Sequence, residues 1–185
     1  MKRQRLLTLS LLMVILVGLA VLVQPVAPAG AGDGGGGIQG GGGSSLSIPG
    51  NSFVPDSSST VFRTDATGGV VLLADTSRYM HAPVNLPDGA TLNSVEFFYY
   101  DNLAPGYMTA TLVRDAPGIS SSIALAVALS PAGAVGYGSD LRSLSTPEVV
   151  NNSRYNYSIE VYWSADSTGA AGAKLMGIKV LYGEP

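Results

Sequence analysis

The sequence predicts an all-β fold: an antiparallel two-sheet β-sandwich of jelly-roll type, preceded by a signal peptide and a Gly-rich linker. Three observations predict it. Short apolar segments alternate with clusters of Gly, Pro, Asn, Asp and Ser. No window sustains a helical period of apolar residues. The longest segments instead alternate with a period of two and are rich in β-branched and aromatic residues, as half-buried strands require.

The chain opens MKRQR, continues with an apolar run from Leu6 to Val23, and then passes Pro25 into small residues. Basic, apolar and small-residue regions in that order describe a secretory signal peptide over residues 1–31. Both Ala27-Pro28-Ala29 and Ala29-Gly30-Ala31 fit the cleavage pattern, and cleavage after Ala31 is favoured. The competing reading is an uncleaved anchor, because about 18 apolar residues just span a bilayer. Membrane partnership is expected only in that case; otherwise the protein is secreted or held at the extracellular surface. The chain has no cysteine, which excludes a lipid anchor on a processed N-terminal Cys and any disulfide framework, and leans towards a bacterial or archaeal source.

Removing the leader takes Lys2, Arg3 and Arg5 with it. What remains carries 7 basic and 13 acidic residues, a net charge of −6. No basic run follows the leader, so no nucleic-acid partner is expected; phosphate binding needs clustered Lys and Arg.

Residues 32–47 open with GDGGGGIQGGGGSS and read as a disordered linker. A flexible chain of that length spans roughly 20 Å. No strand precedes these glycines and no Gly-Lys-Ser/Thr follows, so they make no phosphate loop. Residues 48–185 then form one β-sandwich domain.

Within it, Ser52 to Val54, Thr60 to Arg63 and Val70 to Ala74 read as short strands. Tyr79 to Val84 contains Pro83 and reads as an edge or irregular strand. Pro87-Asp88-Gly89 makes a turn into the central strand, Thr91 to Tyr100. There Val95, Phe97 and Tyr99 share the inward face, and Glu96, Phe98 and Tyr100 the outward one. Tyr107 to Arg114 follows, with Met108, Ala110 and Leu112 on one face. In Ser121 to Leu129 the large residues Ile123, Leu125, Val127 and Leu129 are expected in the core, with the alanines on the other face. Alanine favours helix, but the strict period of two favours strand. Gly136 to Ser139 reads as flexible and Pro147 to Val150 as a short strand. Arg154 to Trp163 places Tyr155, Tyr157, Ile159, Val161 and Trp163 on one face, read as inward, and Asn156, Ser158, Glu160 and Tyr162 on the other. Lys174 to Tyr182 closes the domain with Met176, Ile178, Val180 and Tyr182 inward.

The segments NLPDGA (Asn85 to Ala90), VEFFYYDN (Val95 to Asn102), YNYSIEV (Tyr155 to Val161) and LMGIKVLY (Leu175 to Tyr182) resemble a pattern that recurs in secreted bacterial β-sandwich (jelly-roll-like) proteins of no established activity. The resemblance covers most of the domain. It rests on turns and core strands, so it implies a fold and supplies no catalytic residues.

Most chemistries lack their residues. His81 is the only histidine and has no nucleophile signature near it, so neither a Ser-His triad nor a zinc site is expected. Glu96 and Glu160 could serve as a carboxylate pair if their strands were neighbours. The competing reading is that these outward glutamates face Lys179 across a sheet. Oxygen ligands for calcium could come from Asp75, Asp101 or Asn102, but these are also ordinary turn residues and show no EF-hand spacing. No catalytic residue, metal or cofactor is expected. Two function classes remain. The first is a noncatalytic structural or self-assembling domain at the cell surface; the alternative is a carbohydrate-binding module for surface glycan. A glycan-active enzyme is a distant third. For either of the first two, Phe98, Tyr100 and Tyr162 are the candidate binding residues, because they alternate with the core set and so lie outside it.

The mature protein is expected to begin between Ala29 and Gly32. N-terminal sequencing of secreted material checks this, and a start at Met1 in membrane fractions would contradict it.

Overall fold

The computed structural model describes residues 43–73, 77–102, 106–133, 135–165, 168–169 and 172–185. The leader and most of the glycine run lie outside the described residues, as does Asp75. Among the described residues eleven strands follow in order: β1 (Ser44–Pro49), β2 (Val54–Pro55), β3 (Phe62–Thr64), β4 (Val70–Leu72), β5 (Tyr79–Pro83), β6 (Thr91–Asp101), β7 (Met108–Asp115), β8 (Ser122–Leu129), β9 (Gly136–Val149), β10 (Asn156–Trp163) and β11 (Lys174–Gly183). A 3-10 turn, Gly50–Ser52, joins β1 to β2.

The strands form two antiparallel sheets. Sheet A runs β3-β4-β11-β6-β9, with β1 also paired to β11; sheet B runs β2-β5-β10-β7-β8. From β4 onward the pairs are nested: β4 with β11, β5 with β10, β6 with β9 and β7 with β8. That is a long antiparallel hairpin wrapped into two sheets, the jelly-roll arrangement. The all-β sandwich read from the sequence is therefore the fold of the described chain.

The core lies between the sheets. Phe97, Leu175, Ile178 and Val180 come from sheet A, and Met80, Leu112, Ile159, Val161 and Trp163 from sheet B. The Trp163 indole is fully buried, and its Nε1 donates to the Ala173 carbonyl at 3.1 Å, so no polar group is left unpaired there.

Five expectations need correction. The domain begins at Ser44 rather than Ile48, because Ser44–Pro49 forms a full antiparallel ladder with Gly177–Tyr182. Backbone pairing asks little of the side chains, so a serine-rich end of a glycine run can serve as a strand. The turn that follows needs Gly50: a Cβ there would meet the Leu175 carbonyl oxygen at 2.4 Å. The second correction is β9, expected as a flexible piece and a short strand but continuous over 14 residues. Gly138 is not there for flexibility. It lies against the Tyr99 ring, where a Cβ would come within 2.7 Å of the phenol oxygen.

Thirdly, β8 is a strand, but its phase changes part-way: Leu125 is half-buried against the core as expected, whereas beyond it Ala126 and Ala128 are buried, and Ile123 and Val127 are 50% and 48% exposed. A bulge at Leu125 pairs Ala126 with Leu112 but Ala124 with Val113, so the alternation of β8 changes there. At this edge the sheets also come close enough for the Asp140 carboxylate of β9 to accept a hydrogen bond from the Leu129 backbone N–H of β8 at 2.8 Å. Fourthly, Leu175 rather than Met176 faces the core, because a bulge between Leu175 and Gly177 shifts the alternation. Fifthly, Tyr182 is only partly buried, packed against the core from its margin.

Ile159 is fully buried at the centre of sheet B. Ile159→Ala should cost about 2–5 kcal/mol in equilibrium denaturation, and a loss below about 0.5 kcal/mol would contradict the packing.

Candidate functional site

The outer face of sheet B carries the most developed relief. Strand register places its residues in rows. One row runs Tyr79, Tyr162, Thr109, Leu129, and the next runs Val54, His81, Glu160, Thr111, Val127. The Tyr79 and Tyr162 rings stack at 4.9 Å between centroids, tilted by 42°. Tyr107 lies 6.3 Å from Tyr162, and the Arg78 guanidinium carbon lies 5.7 Å from the centre of the same ring. One end of the face thus presents an aromatic cluster with a cation against it.

From that cluster two hollows extend along the strands. The first, about 290 Å³, is lined by Asp56, Tyr79, His81, Asp115, Ser158 and Glu160. The second, about 550 Å³, is lined by Asn85, Asn152, Tyr155 and Asn156 among others. Both are also bordered by His81 and Ser158, so they adjoin as one groove. Its lining offers carboxylates, amides, a hydroxyl and an imidazole, with tyrosines at either end.

The groove is braced from within. Arg114 of β7 donates from Nη1 to Glu148 of β9 at 2.6 Å, a bridge between the two sheets. Tyr157 also donates to Glu148 through its hydroxyl at 3.2 Å, and accepts from the Asn151 backbone N–H at 3.2 Å. The Glu148 hydrogen bond holds the Arg114 pKa above its ordinary value, and burial raises that of Tyr157. Neither group titrates near neutrality, so the brace is constant there.

The candidate aromatics do not form one surface. Tyr162 belongs to sheet B, whereas Phe98 and Tyr100 lie on the outer face of sheet A. Phe98 is half-buried and lines a hollow with Ser47 and Pro49 of β1 and Met176 and Lys179 of β11. Tyr100 stands in a ladder of its own. Its ring meets Tyr137 edge-on at 4.9 Å, and Lys174 Nζ sits 5.0 Å from its centre. Lys174 in turn pairs with Asp65 at 2.7 Å. Glu96 and Glu160 are divided in the same way, one on each sheet, so they cannot act as a carboxylate pair. Glu96 lies directly opposite Lys179, as the competing reading had it. The Asp101 carboxylate is buried and accepts the Ser130 hydroxyl at 2.9 Å, and that hydroxyl accepts the Met108 backbone N–H at 2.8 Å. Among the described residues no group of three or more His, Asp or Glu side chains is placed to hold a metal.

Sequence reasoning missed Tyr79, Tyr107 and Tyr155. Tyr79 alternates with buried Met80 and Ala82, a signal visible in the sequence. Its pairing with Tyr162 depends on β5 lying beside β10, which only the topology shows.

No protein-family model matches the sequence, and no curated protein matches it. Solved structures do. The chain is similar to the N-terminal CBM22-1 and GH10 modules of xylanase 10B from Clostridium thermocellum, solved with xylohexaose (TM-score 0.48, 9% identity, 75% of this chain and 27% of that one). It is also similar to the C-terminal CBM6 of LamC from Zobellia galactanivorans (TM-score 0.44, 14% identity, 74% and 98%). A third is the carbohydrate-binding module CBM6cm-2 of lichenase 5A from Cellvibrio mixtus, solved with cellotriose (TM-score 0.38, 16% identity, 73% and 95%). This chain spans about a quarter of that xylanase chain. At these identities and scores the likeness is one of chain path, not of binding residues.

The Asp65–Lys174 pair predicts a pH dependence. Lys174 and Thr67 hold the Asp65 carboxyl well below the usual carboxylate range, and Asp65 raises the Lys174 pKa. The Asp65 contribution should be complete above its unfolded pKa of about 3.9 and lost as pH falls towards the depressed value; the Lys174 contribution should be complete below about 10.4 and lost as pH rises through the elevated one. Thermal melts of Asp65→Asn against the parent should therefore differ most between pH 5 and 9 and converge in acid.

Proposed function

We propose that the protein is a noncatalytic carbohydrate-binding β-sandwich acting outside the cell, with the outer face of sheet B as its binding surface. The observation that carries this reading is the groove, with its stacked Tyr79 and Tyr162 at one end and polar side chains along its length. A pyranose ring has apolar C–H faces and a rim of hydroxyls. Tyrosine rings stack on the faces at little entropic cost. Hydroxyls both donate and accept, and a lining of Asp, Glu, Asn and Ser supplies both partners. An open hollow on a rigid sheet also suits an extended chain, because little must be ordered on binding.

A second reading has its own observation. Strand β9 is an edge of sheet A, 14 residues long, with Tyr137 68% exposed and Leu141 58% exposed. A long edge strand leaves a row of backbone groups open to pairing with another chain, and these two exposed side chains lie along it. This supports the structural, self-assembling role at the cell surface, and the two roles are compatible because they use different sheets.

Calorimetry with cellohexaose and xylohexaose, supported by a glycan array, tests the first reading. Tyr79→Ala should weaken binding by about 1–2 kcal/mol while costing less than about 1 kcal/mol of stability, since Tyr79 is largely exposed. Absence of binding to every glycan on the array would overturn it. Sedimentation equilibrium tests the second, and a monomer at all concentrations would reject it.

A further inference from the structure

Tyr155 lines the second hollow of the groove, and it also lines a separate cavity of about 220 Å³. The other walls of that cavity include Arg114, Arg154, Ser121, Ile119 and Ile123. Two guanidinium groups converge on the tyrosine: the Arg114 Cζ lies 4.4 Å from the ring centre and the Arg154 Cζ 5.4 Å from it. Their charges are used differently. Glu148 neutralises Arg114 through Nη1, while the Arg114 Nε is buried with no hydrogen-bond partner. Arg154 forms no salt bridge with any carboxylate among the described residues and is exposed. The cavity therefore holds a net positive charge from Arg154 and a fork-shaped donor set, beside the exposed apolar side chains of Ile119 and Ile123.

We propose that this cavity is a subsite for an anionic sugar, one that carries a carboxylate or a sulfate, at the end of a saccharide lying in the groove. The inference rests on the glycan-binding reading and gives it a ligand class. Planar guanidinium groups match the oxygens of either anion in pairs, and the isoleucines offer an apolar wall to the ring that carries it. The rest of the groove limits how much charge the ligand can bear. Asp56, Asp115 and Glu160 line the first hollow, so a uniformly charged polyanion would be repelled there. The ligand that fits is a mainly neutral chain with its anionic residue at the Tyr155 end. Two of the domain's five arginines meet on one tyrosine, in a chain that is acidic overall, and among the described residues a carboxylate pairs with Arg114 alone of the two.

Calorimetry with four probes tests it: xylotetraose, xylotriose bearing one glucuronate, cellotetraose, and cellotriose bearing one 6-sulfate. The parent protein should bind at least one charged probe about tenfold more tightly than its neutral counterpart, the gain expected of one charge-assisted contact. Whichever charged probe shows the gain identifies the anion. Arg154→Gln should abolish the preference, leave neutral binding unchanged and melt at the same temperature, because Arg154 is exposed and unbridged. Equal binding of charged and neutral probes by the parent, or a preference that survives in Arg154→Gln, would overturn the subsite while leaving the glycan face in place. Failure to bind any of the four probes, with no binding on the array, removes both.

Discussion

The pairing of the last strand into the middle of a sheet is the constraint on which the rest of the structure depends. Strand β11 lies between β6 on one side and β4 and β1 on the other. Sheet A is therefore three separate pieces, β1, β3-β4 and β6-β9, until the end of the chain arrives. Sheet B follows from the same nesting, since β10 lies between β5 and β7 and precedes β11 by one turn of the wrapped hairpin. The groove on sheet B exists because β5 and β10, far apart in sequence, are neighbours in space. Contacts of such sequence separation make folding slow relative to helical domains of the same size, because loop closure comes before the reward.

Legibility in the sequence differs from strand to strand. β10 and β6 from Val95 onward are legible because both alternate without interruption and both lie inside a sheet, where each face has a definite environment. β8 also alternates without interruption in sequence, yet its phase changes part-way. Period shows that two faces differ; it does not show which face the partner sheet approaches closely. Here a bulge at Leu125 turns Ala126 and Ala128 to the core and Val127 out of it. β11 was misread from Met176 back for a different reason, a bulge set by how the neighbouring strands pair. β1 and β9 were missed or shortened because glycine and serine were read as signs of flexibility, when Gly50 and Gly138 are required by close packing.

The candidate site was legible only as a list of outward residues. Phe98, Tyr100 and Tyr162 alternate correctly with the core, but alternation carries no information about which sheet a strand joins. A sandwich has two outer faces, and the sequence alone cannot assign residues to one or the other. The groove gathers short contributions from β2, β5, β7 and β10 and from the turns that flank them. None of those contributions forms a motif by itself. The brace of Arg114, Glu148 and Tyr157 is similar: each residue is unremarkable in its own strand, and their meeting ties the edge of one sheet to the interior of the other.

Strand β1 has one further consequence. It is attached to the rest of the fold through Pro49 and the tight turn at Gly50, and its six backbone pairs are all made with β11. The same ladder could be completed by β1 of a second molecule without loss of a hydrogen bond. What keeps β1 at home is then effective concentration: its own β11 edge is always near, whereas a neighbour's must be found. Crowding many copies on one surface narrows that difference, so dense display would favour strand exchange, with each molecule lending its first strand to the next and linking copies without any new interface.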